Sequence, residues 1–225
     1  MTVITADHFS LKQISESGQC FRMTDMGGGF YRIIARDKMV FAGQDGASIT
    51  LSCDEKEYRA FWYEYFDLGT DYRKYIDQID PDDKYLNAAA RFGSGIRILK
   101  QDPWEMIVTF LISQRNNIPR IKKCIELLCS AYGKRMTCAN KDGMSAFNID
   151  GAYEEYYSFP EAEVLAALDD DALMACNLGY RSRYVVRTAR IIAGLKEEGS
   201  AVTEENRKGI KADDITFSGM DGLKK

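Results

Sequence analysis

A chain of 225 residues, 45% hydrophobic and 28% charged, is long enough for one or two globular domains with a buried core. It holds no run of about 18 apolar residues, so no membrane span is expected. Its start, M-T-V-I-T-A-D-H, lacks the basic-then-apolar pattern of a signal peptide, so a cytoplasmic, non-secreted protein is expected. A net charge of −4 argues against a uniformly basic nucleic-acid binder. That figure is an average, however. Between Ala88 and Arg135 nine basic residues face three acidic ones, while acid gathers in 54–83 and 150–171.

In chain order, Phe9, Leu11 and Ile14 mark a short apolar segment, followed by S-E-S-G-Q-C-F-R, where Gly18 signals a sharp turn or a close backbone approach. Phe30–Ala35, Met39–Ala42 and Ser48–Cys53 are β-rich runs separated by polar turns, which predicts an antiparallel meander. Asp54 caps a helix rich in aromatics, expected to pack on the sheet rather than to bind a ligand. A further helical turn or two spans 71–76, and after Pro81 the pattern is helical throughout. One helix covers 84–99, weakened or ended by Gly93 and Gly95.

From Gln101 to Ala131 the spacing predicts two helices joined by the polar corner Ser113-Gln114-Arg115-Asn116-Asn117. Asp102 and Pro103 open the first, with Trp104, Ile107, Val108, Leu111 and Ile112 as its apolar face. Pro119 opens the second, with Ile121, Cys124, Ile125 and Leu128 inward and Gly133 as its stop. Arg120, Lys122 and Lys123 at that helix N-terminus suit a phosphate; an ordinary hairpin with a solvated turn is the plainer alternative. Residues 137–158 are expected to form a loop with a short helical piece, and 161–168 and 170–176 short helices. Gly179 breaks the chain before a helix with Tyr184, Val185, Thr188, Ala189, Ile192 and Leu195 on its apolar face. On another face lie Arg183, Arg187 and Arg190, a solvated stripe or a polyanion contact. Six cysteines without a C-x-x-C pair, and the single histidine His8, predict reduced thiols and no metal site.

Four motifs occur in order: S-G-Q-C-F-R at 17–22, D-P-W-E…F-L-I-S-Q-R-N-N-I-P-R-I at 102–121, Y-Y-S-F-P at 156–160 and L-G-Y-R-S-R-Y at 178–184. Together, over roughly residues 9–196, they resemble the 8-oxoguanine DNA glycosylase/AP lyase family of the helix-hairpin-helix superfamily. The resemblance implies an α+β fold. Its N-terminal antiparallel sheet domain, 1–83, packs on an all-α glycosylase-type helical domain, 84–225. It implies a monomer acting on double-stranded damaged DNA at the nucleoid, without metal or cofactor.

In such enzymes the damaged purine is flipped out of the duplex, at a cost of a few kcal/mol. Tyr180 matches the aromatic that wedges into the stack, and Arg181 and Arg120 match donors to the orphaned cytosine. Asn116 and Asn117 match two asparagines of the family's corner. Arg115 stands where many members have a third, which leaves the opposite-base preference open. Gly18 matches the glycine whose carbonyl accepts the N7–H that 8-oxoguanine has and guanine lacks. Phe21 matches an aromatic near that pocket. A purely structural role competes for both residues.

The family's catalytic lysine, an amine nucleophile that forms a Schiff base, and its aspartate sit in a hairpin and a following loop. No L-x-G-V-G-x-K-x-A-D-like stretch occurs in these 225 residues. Lys224 and Lys225 precede the catalytic position, so no catalytic residue is assigned. The chain therefore reads as a family member cut short before the hairpin, marginally stable and weak or inactive in turnover. Two classes of function follow: a DNA N-glycosylase/AP lyase of base-excision repair, or a non-catalytic lesion-binding fragment.

Overall fold

The computed structural model describes residues 1–138 and 154–201. Its first unit is a five-stranded antiparallel sheet in the order β1-β5-β4-β3-β2. The strands are β1 (Thr2–Thr5), β2 (Met23–Gly27), β3 (Phe30–Ala35), β4 (Lys38–Asp45) and β5 (Ser48–Leu51). The predicted meander forms the middle of this sheet. Between β4 and β5 the turn contracts to Gly46-Ala47. The two edge strands escaped prediction because β1 is a single Thr-Val-Ile-Thr stretch with no turn signal before it and β2 is exposed beyond Met23.

Both sheet faces are covered, which is why β3 reads as an almost continuous apolar run. Tyr31, Ile33 and Ala35 enter a core with Phe9, Leu11 and Ile14 of α1 (Leu11–Glu16). The aromatic helix closes that core. Its cap is Asp54, which accepts the Glu57 N–H at 2.7 Å. From there α2 (Glu55–Glu57), a π-helical turn (Tyr58–Trp62) and α3 (Tyr63–Tyr65) follow without interruption. Trp62 is fully buried and meets Tyr65 edge to face at 5.4 Å, so the aromatics pack on the sheet as expected.

The same core takes in Leu99. Arg97 draws that stretch in by donating to the carbonyls of Asp67, Thr70 and Asp7. Helix α4 (Arg73–Ile76) and helix α5 (Lys84–Phe92) bury no residue at all. On α5, Tyr85 is 91% and Phe92 85% exposed.

The helical unit comprises α6 (Pro103–Ser113), α7 (Ile118–Tyr132), α8 (Ala162–Ala166), a 3-10 turn (Ala172–Cys176) and α9 (Arg181–Ala201). Asp102 caps α6 by accepting the Glu105 N–H, and Asn117 caps α7 by accepting the Arg120 N–H. On α7 the predicted face, Ile121, Cys124, Ile125 and Leu128, is the buried one. On α6 the predicted Val108 and Ile112 are buried and Trp104 and Leu111 pack against the core, whereas Ile107 is exposed and the polar Glu105 and Thr109 are buried in addition. On α9, Val185, Val186, Ala189 and Ala193 are buried and Tyr184 is half exposed, a rotation of about one residue from the expected face.

Gly133 ends α7 with an extended backbone. A Cβ there would lie 2.1 Å from the Ser158 carbonyl oxygen, so the glycine answers to close approach rather than to a left-handed conformation.

The expected 137–158 loop is corrected at both ends. β6 (Arg135–Cys138) and β7 (Glu154–Tyr157) pair antiparallel, so where the predicted helical piece was to run into Tyr157 there is a strand, and 139–153 lie outside the described residues. This ribbon docks on the second face of the large sheet, where Tyr156 packs with Ile34, Met39 and Phe41 and donates its hydroxyl to the Asp37 carbonyl at 2.7 Å.

Glu105 is buried at this junction, where its carboxylate accepts the Arg36 N–H at 3.4 Å. Burial raises its pKa to about 7 from 4.5, opposed by the nearby Arg22 charge. The folded chain therefore keeps a proton between those two pH values that the unfolded chain has lost. Stability from this group is full below about 4.5 and falls as pH rises to 7, by about 3 kcal/mol. In urea unfolding at pH 5 and pH 8, Glu105→Gln should lose less stability between the two than the parent chain. An equal loss in both chains would show that Glu105 is not the group responsible.

Candidate nucleic-acid interface

The corner between α6 and α7 is built by its own side chains. Asn116 Nδ2 donates to the Ile112 carbonyl at 3.0 Å, and Asn116 Oδ1 accepts the Asn117 N–H at 3.0 Å. Asn117 then accepts the Arg120 N–H at 3.0 Å and starts the next helix. Both asparagines thus shape the turn, and the cations Arg115 and Arg120 stand exposed on it.

Arg115 has a left-handed φ of 48°. Asparagine tolerates that region better than a long unbranched side chain does. Arg115→Asn should therefore stabilise the fold by roughly 0.5–1 kcal/mol. A melting temperature unchanged or lowered in that variant would contradict the strain.

A second loop meets this corner. After the 3-10 turn, Asn177 is left-handed at φ 62° and its carbonyl accepts the Cys124 thiol of α7 at 3.4 Å. Leu178 is completely buried in the helical core, Tyr180 is 54% exposed, and Arg181 turns inward with 6% exposure. Its Nε donates to the Gln114 carbonyl at 3.1 Å, and its Nη2 donates to Gln114 as well and to the Arg115 carbonyl at 3.2 Å. The guanidinium also lies 4.6 Å from the Tyr180 ring centroid. Arg181 is therefore the bolt that holds an exposed tyrosine beside an exposed arginine corner.

The arginine stripe on α9 faces solvent, but two of its three members are paired. Arg187 and Arg190 grip Asp170 at 2.7 and 2.9 Å, and Arg190 also donates to the carbonyls of Ala166 and Leu168. These contacts, the Arg187 hydrogen bond first, hold the Asp170 carboxyl below its ordinary range. They clamp α8 to α9. Of the three arginines, Arg183 alone belongs to neither contact with Asp170.

Gly18 has a φ of 77° and open space where a side chain would be, so the sharp-turn expectation holds and no close neighbour is present. Phe21 is half buried and packs against the helical core. Lys122, expected near a phosphate, instead donates to the Met23 carbonyl at 3.1 Å. No sequence signal marked that contact.

Comparison with known proteins bears on the fold. Residues 1–107 match the family profile described as "8-oxoguanine DNA glycosylase, N-terminal domain". Over 143 residues, 63% of this chain and 34% of the relative, the sequence is 35% identical to the N-glycosylase/DNA lyase of Saccharomyces cerevisiae. This chain thus spans about a quarter to a third of the length of the curated relatives it matches. Among solved structures, the 8-oxoguanine glycosylase/lyase of Clostridium acetobutylicum in its apo-form superposes with a TM-score of 0.76 at 30% identity. That match covers 95% of this chain and 68% of the other. The same enzyme in complex with duplex DNA containing cytosine opposite 8-oxoG gives 0.73 at 32% identity, covering 92% and 66%. Four motifs, a sheet-on-helices architecture and similarity along nearly the whole described chain agree, and the chain belongs to the 8-oxoguanine DNA glycosylase family.

Proposed function

We propose that this protein serves base-excision repair as an 8-oxoguanine DNA N-glycosylase with AP lyase activity, binding double-stranded damaged DNA as a monomer at the nucleoid. The observation that carries this reading is Tyr180, exposed beside the Arg115–Arg120 corner and fixed there by Arg181. In this scheme Tyr180 enters the stack where the lesion has flipped out. Arg120 donates to the pairing edge of the abandoned cytosine, in a contact of about 1–3 kcal/mol. Arg181 joins it only by giving up part of its hold on the corner. Gly18 offers its carbonyl to the lesion N7–H, and Phe21 backs that pocket from the helical side.

A second reading rests on the chemistry. An AP lyase needs an amine nucleophile, and these 225 residues carry no stretch like the lysine-bearing hairpin and loop of the family. The chain would then bind the lesion without cleaving.

Borohydride trapping on a duplex with 8-oxoguanine opposite cytosine separates the two readings. A covalent adduct supports the enzyme, and lesion-selective binding without an adduct supports the binder. Equal affinity for damaged and undamaged duplexes would sink both.

A further inference from the structure

The segment that carries Gly18 belongs to neither structural unit alone. Cys20 and Met23 sit in the sheet-side core, whereas Phe21 packs into the helical one. Its start is held on the sheet side. Gln19 donates to the Arg97 carbonyl at 2.8 Å, and its own carbonyl accepts from Gln101 at 2.6 Å. Its end is held from elsewhere. Arg22, only 3% exposed, donates from its Nη2 to the Tyr157 carbonyl on β7, and its Nε lies 3.8 Å from Glu126 on α7. The half-buried Lys122 closes the set by donating to the Met23 carbonyl from one helical turn above the start of α7.

We propose that Lys122 is a positioning residue that locks the 18–23 segment onto α7. The place where a lesion base is read and the helix that carries Arg120 then move as one body. This inference rests on the lesion-binding reading given above. Lys122 lies two positions after Arg120, so a shift of the helix start on engaging the opposite base reaches the end of the 18–23 segment through this ammonium–carbonyl hydrogen bond, beside the longer Arg22–Glu126 pair. A cation on a flexible stem suits that contact, because its bond to a main-chain carbonyl is charge-assisted yet tolerates small displacements. The consequence is that selectivity for the lesion and selectivity for the base opposite it depend on each other.

The test uses the 225-residue chain with Lys122→Met, which keeps the apolar stem and removes the donor, and Lys122→Arg, which keeps a donor. Affinities are measured for duplexes carrying 8-oxoguanine or guanine opposite cytosine, and amide hydrogen exchange is followed at residues 18–23 in the free protein. Lys122→Met should reduce the preference for the damaged duplex about tenfold, the size of one charge-assisted hydrogen bond. It should also speed exchange at 18–23, and Lys122→Arg should restore both. If Lys122→Met weakens both duplexes alike, or leaves exchange at 18–23 unchanged, the positioning role is overturned while the lesion-binding reading stands. A parent chain with no preference between the duplexes overturns the lesion-binding reading, and the inference with it.

Discussion

Arg181→Ala should unfold about 3 kcal/mol more easily than the parent chain and lose lesion-duplex affinity at the same time. The side chain is 6% exposed and its guanidinium binds two main-chain carbonyls of the α6–α7 corner. Removing it leaves those carbonyls without their charged donor, a loss of about 1.5–3 kcal/mol for such hydrogen bonds, together with the packing of its stem. The two effects come from one cause, since the corner and the Tyr180 loop are joined through this residue. Urea unfolding gives the first and fluorescence anisotropy with a damaged duplex gives the second. Arg181→Lys should recover some stability, because one ammonium can serve one carbonyl. It should not recover the fork that reaches both. An Arg181→Ala chain as stable as the parent would mean that the corner holds itself.

Tyr180→Ala should behave in the opposite way, with stability nearly unchanged and binding reduced about ten- to a hundredfold. With 54% of its surface exposed, the ring contributes little to either core. Its neighbour Tyr184 touches it edge to face at 6.2 Å, again outside the core. A base stacked on an aromatic side chain is worth about 1–3 kcal/mol. The loss should fall on lesion duplexes more than on undamaged ones, because an intact stack leaves no gap for the ring. Equal weakening of both would indicate that Tyr180 acts as general contact surface and not as a wedge.

How much of this was legible in the sequence depended on whether one side-chain pattern had one solution. Helix α7 did: charged residues alternate with Ile121, Cys124, Ile125 and Leu128, so only one face can be buried. Helix α6 is apolar nearly all round, so the spacing placed Trp104, Val108, Leu111 and Ile112 against the core but also put the exposed Ile107 there. The buried set includes Glu105 and Thr109, polar residues that hydrophobic periodicity assigns to the surface. The central meander was visible because its strands follow one another, whereas β6 and β7 find each other across a long insertion.

At the candidate site, the exposed Tyr180 and the polar corner were legible as types of residue in types of place. The role of Arg181 was not, because its partners are main-chain carbonyls, and any residue can supply those. Similarly, Arg187 and Arg190 read as a solvated stripe or a polyanion contact because Asp170, their partner, lies a full element away in the chain.

Helix α5 has little support: nine residues, none buried, tied by a cap from Asp83, by Asn87 donating to the carbonyls of Asp80 and Asp83, and by Gln13 donating to the Phe92 carbonyl. Isolated helices shorter than about 12–15 residues are marginal in water. Its coil form should therefore be visited often while Ile125 and Val185 stay locked, and proteases that cut after aromatic residues should nick the chain first at Tyr85 or Phe92.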